Sequence, residues 1–177
     1  MAITRLNTNA FGTSVNLASN VTGTLPTANG GTGATSFSPG KVLQVVQGTH
    51  ASEDNFSTTS YQASETDVTI TPSSTSSKIL ITYSISFWLF TASDEWVHTL
   101  YRDSTNLAST AAQGFGTLRV DSAKYSSQVS IQYLDSPNTT SAIEYECYVK
   151  RNAGSGTLYL NHNSSATSTI TATEIGA

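Results

Sequence analysis

The segment from Ile79 to Phe90 alternates between apolar and polar side chains, and this constrains the fold more than any other feature of the chain. Six odd positions are apolar, whereas Thr82, Ser84 and Ser86 lie between them. A period of two puts the odd residues on one face of an extended strand, because successive side chains of a strand point to opposite faces. The pattern predicts a long strand with one face in a core. The odd residues are Ile79, Ile81, Tyr83, Ile85, Phe87 and Leu89.

Shorter segments of the same kind predict further strands, and no window of 12 residues has helical spacing. Ser and Thr make up about a third of the chain and charged residues only 11%, which suits strands with a polar outer face rather than helices. The prediction is an all-β, antiparallel β-sandwich. The further strands are predicted at 42–46, 68–70, 96–101, 129–133, 143–149, 158–160 and 169–175.

Residues 1–40 differ from the rest of the chain. Their apolar side chains are sparse and fall on odd positions from Val15 onward, and a glycine cluster stands at 30–33. Such a segment buries too little surface to offset its ordering entropy alone. We therefore predict an extended arm at 1–40 held by sister chains, followed by one domain at 41–177, with a flexible linker as the alternative for the arm. The predicted arm contacts are Val15, Leu17, Val21 and Leu25.

Several segments resemble known proteins. NVTGTLPTANGGTG at 20–33 resembles the G-x-L-P-x-x-x-G-G-T-G segment of bacteriophage tail-fibre and related virion fibre proteins. Residues 41–46, 70–80 and 169–175 resemble pieces of the C-terminal domain of many such fibres. The order of the strands, with LYRD…L at 100–107, is similar to the jelly roll of C1q and tumour necrosis factor.

Four aromatic side chains interrupt the alternation and lie on what we predict to be the solvent face, which marks an interface if they cluster. The resemblance implies a homotrimer in which inner sheets pack on a threefold axis, with these four residues at the axis. It also implies that the arm attaches to another virion protein: a tail adaptor, the baseplate or the capsid. The four residues are Trp88, Phe90, Tyr148 and Tyr159.

The chain lacks the common sequence signatures of enzymes, since it has no G-x-S-x-G, P-loop or H-E-x-x-H motif. We predict no enzyme activity, no metal and no cofactor. His50 beside Glu53 and Asp54 is interpreted as solvated, and Cys147 as a core residue. A net charge of −4 argues against nucleic acid, and no apolar run is long enough for membrane insertion.

The order of the strands predicts which loops share an end, because antiparallel strands alternate in direction. We take 103–124 as one loop and call the end of the sandwich where the arm enters the base. The far end is then expected to carry the loops 91–95, 135–141 and 162–168. The base is expected to carry the loops 103–124 and 151–156. Loops on a rigid scaffold commonly carry recognition. The predicted receptor-facing residues are Asp94, Glu95, Asp135, Asn138, His162 and Asn163.

Together these observations predict a homotrimeric fibre protein of a bacteriophage particle, with the arm attached to the virion and the domain at 41–177 contacting a host surface glycan. One alternative is a head fibre or capsid decoration protein without dedicated receptor binding. Another is a glycan-cleaving enzyme, for which Asp94 and Asp135 would have to meet across a loop tip.

Overall fold

The computed structural model describes residues 41–121 and 124–176. The predicted arm, with Val15, Leu17, Val21 and Leu25, lies outside the described residues. Within the described ranges the chain forms strands and one 3₁₀ turn at His162–Ser164. No helix in this part of the chain is long and apolar enough to cross a membrane.

All eight predicted strands are confirmed, most of them with longer bounds, and three short strands were not predicted. The additional strands are β2, β6 and β7. The strands are β1 (Val42–His50), β2 (Asp54–Phe56), β3 (Gln62–Ile70), β4 (Lys78–Leu89), β5 (Glu95–Arg102), β6 (Thr105–Asn106), β7 (Gly116–Arg119), β8 (Tyr125–Asp135), β9 (Ile143–Ala153), β10 (Leu158–Leu160) and β11 (Ser168–Ile175).

The strands form two antiparallel sheets. Sheet A has the order β1-β11-β4-β8, with the short β10 and β2 beside the second half of β4. Sheet B has the order β3-β9-β5, with β7 and β6 on the outer edge of β5. Each strand of the first half pairs with a partner in the second half, in nested fashion: β1 with β11, β3 with β9, β4 with β8 and β5 with β7. This nesting is the double Greek key of a jelly-roll sandwich.

The core lies between the sheets and is built as the alternation of β4 predicts. All six odd residues from Ile79 to Leu89 are at most 2% exposed. Sheet B contributes Trp96, Leu100 and Tyr145 from the other side. Cys147 is fully buried, which confirms its predicted place in the core, and burial raises the pKa of its thiol to about 12.

The predicted grouping of the loops at two ends is wrong. Strand β7 reverses the chain once more than expected, so the 136–142 loop lies at the end where β4 begins. Strands β10 and β11 both run antiparallel to β4, so 161–167 is a protrusion beside the sheet rather than a reversal at one end. The 90–94 loop instead adjoins 154–157, since Ser155 and Gly156 donate backbone hydrogen bonds to Asp94.

Candidate functional site

The outer face of sheet A contains a broad surface without charge. Cross-strand pairing aligns side chains of β1, β11, β4 and β8 in rows of four that share this face. We call these rows the uncharged face. Its rows are Val45–Thr173–Leu80–Leu134, Gln47–Thr171–Thr82–Gln132 and Thr49–Thr169–Ser84–Ser130.

The polar side chains of this face bond to one another. Gln47 Nε2 donates to Thr171 Oγ1 over 3.1 Å, and Ser130 Oγ donates to Ser84 Oγ over 2.9 Å. At the end nearest Lys41 the face becomes aliphatic, with Val45 60% and Leu134 49% exposed. Large apolar side chains with that much exposure in one row of a sheet favour a covering partner.

At the other end of sheet A the outer surface carries a cluster of aromatic rings, Trp88, Phe90, Tyr159 and His162, which we call the ring cluster. The Phe90 ring lies 5.2 Å from Tyr159 and 5.0 Å from His162, and the Trp88 ring lies 5.4 Å from His162 (centroid distances). All four residues are partly exposed. The structure thus brings together three predicted interface residues and one predicted receptor-facing residue.

The protrusion at 161–167 holds His162 over the rings. Its backbone is left-handed at Asn161, Asn163 and Ser164, with φ between 50° and 55°. The Asn161 side chain is buried and donates to the backbone oxygens of His50, at 3.0 Å, and of Ser52, at 3.3 Å. These bonds tie the start of the protrusion to the chain between β1 and β2.

The Glu53 carboxylate lies next to the imidazole of His162. Its Oε2 lies 2.8 Å from Nδ1 of His162 and also accepts the backbone N–H of Asn163. The Asn163 bond, together with His162, holds the pKa of Glu53 below its ordinary value against the opposing effect of desolvation. His50 pairs separately with Asp54, at 2.7 Å. His50 and Asp54 therefore form one pair and Glu53 belongs to another, so the three neighbours do not converge on a common position as the ligands of one metal ion would.

Tyr148 lies apart from the other three predicted interface aromatics, on the outer face of sheet B. Its ring stacks on Tyr101 with a centroid separation of 4.0 Å, and Tyr61 adds an edge contact to Tyr101 at 6.0 Å. The Lys150 ammonium lies 4.5 Å from the Tyr61 ring centroid. One interface around a single axis through the ring cluster therefore does not include Tyr148.

Sheet B also carries the charge that the uncharged face lacks. Asp67 pairs across the strands with Glu146, and Glu144 pairs with Thr69. Partial burial, with Glu144, Glu65 and Asp67 nearby, raises the pKa of Glu146 to about 7. The two outer faces of the sandwich thus differ in chemistry. The three middle rows of sheet A are neutral, with Lys78 exposed beyond them where β4 begins, whereas the outer face of sheet B is acidic and has tyrosines.

Two predicted receptor-facing carboxylates are buried, which contradicts that role. Asp94 is fully buried, and its Oδ1 accepts the backbone N–H groups of Ser155 and Gly156 at 3.0 and 2.9 Å. Asp135 is 6% exposed and accepts bonds from Arg102 and from the Tyr145 hydroxyl, the latter at 2.6 Å. The two aspartates lie at opposite ends of β5, because Asp94 precedes it and Asp135 contacts its last residue. They do not meet as a pair.

The remaining predicted receptor-facing residues lie in three places. Glu95 is partly buried and accepts a bond from Asn152 at the end of β9. Asn138 is exposed at the opposite end, with a left-handed backbone and a 3.0 Å bond to the Ser136 carbonyl, as in an ordinary turn. Asn163 is exposed beside the ring cluster. The sequence reasoning missed Glu53 as the partner of His162, since no local pattern links residues 109 positions apart.

Comparisons with known proteins assign no family to the chain. No protein-family model matches it, and no curated protein matches it. Among solved structures, a chain of infectious bursal disease virus, Gx strain, aligns with 16% identity and a TM-score of 0.33. The alignment covers 77% of this chain and 38% of the viral chain. The jelly-roll assignment therefore depends on the strand pairing of this chain itself.

Proposed function

We propose that the chain is a structural protein of a bacteriophage virion, a fibre that assembles as a homotrimer through the uncharged face of sheet A. In this proposal the arm at 1–40 attaches to a tail adaptor, the baseplate or the capsid. The domain at 41–177 contacts a host surface glycan. The support comes from the fibre-like segment at 20–33, the jelly-roll pairing and the chemistry of the two sheet faces.

The uncharged face is the observation that carries the assembly proposal. Its three rows contain only Ser, Thr, Gln, Val and Leu, whereas the outer face of sheet B has Asp67, Glu144, Glu146 and Lys150. The buried core of a subunit interface is depleted in charge, because desolvating an unpaired charge is costly. The neutral rows end at Lys78, which is exposed where β4 begins, so these three rows are the part of sheet A suited to a subunit contact.

The ends of the described domain fit attachment from one side. Gly176 N–H donates to the Lys41 carbonyl over 2.8 Å, so the chain enters and leaves sheet A at the same end. The ring cluster lies toward the other end of the sheet, where β10 pairs with Trp88 and its neighbours. An attachment at the Lys41 end therefore leaves the ring cluster pointing away from the particle.

A matched pair of variants tests the assembly. Thr82 lies in the middle row of the uncharged face and Thr69 lies on the outer face of sheet B; both are exposed strand threonines. Light scattering after size exclusion of the full chain is expected to give a trimer for the natural protein and for Thr69→Lys, but a monomer for Thr82→Lys. Circular dichroism is expected to show the same strand content in all three. A natural protein that is monomeric at micromolar concentration, or variants that assemble equally, would refute the proposal.

The position on the particle separates the fibre from the head-fibre or decoration alternative. Cryo-microscopy of particles that carry the protein with an added tag is expected to place density at the tail. Density on the capsid surface, together with unchanged host adsorption when the protein is omitted, would support decoration instead.

A further inference from the structure

We propose that the ring cluster, together with Glu53 and Asn163, is a binding site for a neutral pyranose sugar. The inference deepens the proposed host contact by giving it a place and a ligand class, and it does not depend on the trimer. It assigns to Trp88, Phe90 and Tyr159 a different role from the predicted subunit axis. The tyrosines of sheet B also lie beside a carboxylate, Glu146, but two of those rings stack on each other at 4.0 Å and the Lys150 ammonium lies over the third.

The rings supply the apolar half of the site. A pyranose presents a flat patch of C–H groups on one side and hydroxyls around its rim, and an aromatic ring has a partly negative face that such C–H groups pack against. Trp88 and Tyr159 are directly paired across β4 and β10, so their side chains lie side by side on the same face. Their spacing is fixed by the strands, which means that binding does not have to order them.

The polar half of the site is Glu53 with its neighbours. Oε2 of Glu53 accepts the Asn163 N–H and lies 2.8 Å from Nδ1 of His162, which orients the carboxylate while leaving acceptor capacity on its second oxygen. Glu53 remains 27% exposed and the Asn163 side chain is exposed. A carboxylate accepts hydrogen bonds from sugar hydroxyls, and a side-chain amide both donates hydrogen bonds to them and accepts hydrogen bonds from them. The site residues include no lysine or arginine, so an acidic sugar has no counter-charge here.

The shape of the protrusion is not explained by the core. Left-handed backbone costs an L-residue roughly 1–2 kcal/mol, yet Asn163 and Ser164 both adopt it and the 3₁₀ turn they belong to buries no side chain. The contacts that this conformation produces are the His162 ring against Phe90 and Tyr159 and the Asn163 N–H on Glu53. The strain thus builds the ring cluster and its carboxylate rather than the hydrophobic core.

Tryptophan fluorescence gives a direct readout with an internal reference. The chain has two tryptophans: Trp88 is partly exposed in the ring cluster, and Trp96 is fully buried in the core. Acrylamide therefore quenches Trp88 selectively, and Trp88→Phe supplies the background from Trp96. Methyl glucoside, methyl galactoside and N-acetylglucosamine are titrated into the full chain. At least one is expected to protect Trp88 with a Kd of about 1–10 mM, as for a single small contact surface.

Variants of the site and of the other face decide whether protection is specific. Glu53→Gln keeps the size of the side chain and is expected to weaken binding about tenfold, as is Tyr159→Ala, because each removes one recognition element. Tyr61→Ala on sheet B is the control and is expected to leave the Kd unchanged. Protection by a sugar that is insensitive to both site variants overturns the inference, as does the absence of protection by all three sugars.

Light scattering on the same samples keeps this result separate from the assembly proposal. A trimer that binds no sugar refutes the sugar site and leaves the virion role standing. A monomer that binds sugar refutes the trimer and leaves the site. If Trp88 is protected in the trimer without sugar and becomes quenchable only in Thr82→Lys, the rings form a subunit contact and the inference falls.

Discussion

The hydroxyl of Tyr83 lies 2.6 Å from Nδ1 of His98 inside the sandwich, and this contact joins the two sheets by a buried hydrogen bond. Tyr83 belongs to β4 of sheet A and His98 to β5 of sheet B. Burial raises the pKa of Tyr83 far above its ordinary value, so the phenol stays protonated beside the imidazole. Burial lowers the pKa of His98 to about 4 for the same reason.

His98 makes stability fall in acid. Its pKa is about 4 in the folded chain against an ordinary 6.5, so between these values the unfolded chain binds the proton and the folded chain does not. Stability is then unaffected above pH 6.5 and declines as the pH falls toward 4, by about 3 kcal/mol in total. Urea unfolding of Glu146→Gln from pH 8 to pH 4 measures this decline without the opposing effect of Glu146. An imidazole that titrates near 6.5 by NMR in the folded chain would contradict the prediction.

Glu146 acts in the opposite direction. Its folded pKa of about 7 exceeds the ordinary 4.5, so the contribution of Glu146 to stability is fully present below pH 4.5 and is lost as the pH rises toward 7. Glu146→Gln removes that loss and keeps the oxygen that accepts the Glu65 N–H. We expect a gain of about 1–2 kcal/mol at pH 8, reduced for the partial exposure of the side chain, and no gain at pH 4. Urea midpoints at the two pH values measure it.

The control for Glu146 is its neighbour Glu144, which is exposed on the same face. Glu144→Gln is expected to change stability by less than about 0.5 kcal/mol at either pH, as is usual for exposed surface positions. Equal gains from both variants would show that general charge repulsion, rather than the burial of Glu146, sets its effect.

Asp94 is predicted to stabilise the loops at the end of β4 rather than to contact a ligand. Asp94→Ala leaves the N–H groups of Ser155 and Gly156 without their acceptor, and hydrogen bonds to a charged group contribute about 1.5–3 kcal/mol each. We expect a loss of about 2–4 kcal/mol in the free energy of unfolding. Asp121→Ala, at an exposed position near the same end, is the control and is expected to cost less than about 0.5 kcal/mol. Similar losses for the two would contradict the structural role of Asp94.

The alternation along β4 was enough to predict the core. A period of two shows which face of the strand each residue occupies. The same pattern does not state which sheet a strand joins. Trp88 and Tyr148 both fall on an outer face, yet pairing places one on sheet A and the other on sheet B. Sheet membership depends on partners far apart in sequence, which a local period does not encode.

The end of the sandwich at which each loop lies was mispredicted for two local reasons. Strand β7 has four residues, of which only Leu118 is a buried apolar side chain, so it gives no alternation to recognise. The protrusion at 161–167 was read as a reversal because it is polar and of turn length. Instead Asn161 ties it to the backbone after β1, and β11 continues in the direction of β10. The contact of His162 with Glu53 follows from the path of the chain through 161–167, so it could not be predicted before that path was known.

The left-handed backbone of Ser164 predicts that glycine is tolerated or preferred there. Serine at φ 51° is strained, whereas glycine adopts this region freely but loses more backbone entropy on folding. The two effects leave an expected gain of about 0.5–1 kcal/mol for Ser164→Gly. The adjacent Ser165 has φ −91° and donates its hydroxyl to the His162 carbonyl over 2.6 Å, so Ser165→Gly is expected to lose about 1 kcal/mol. Thermal unfolding of the two variants compares them directly, and a loss at Ser164 as large as that at Ser165 would show that the protrusion does not store backbone strain.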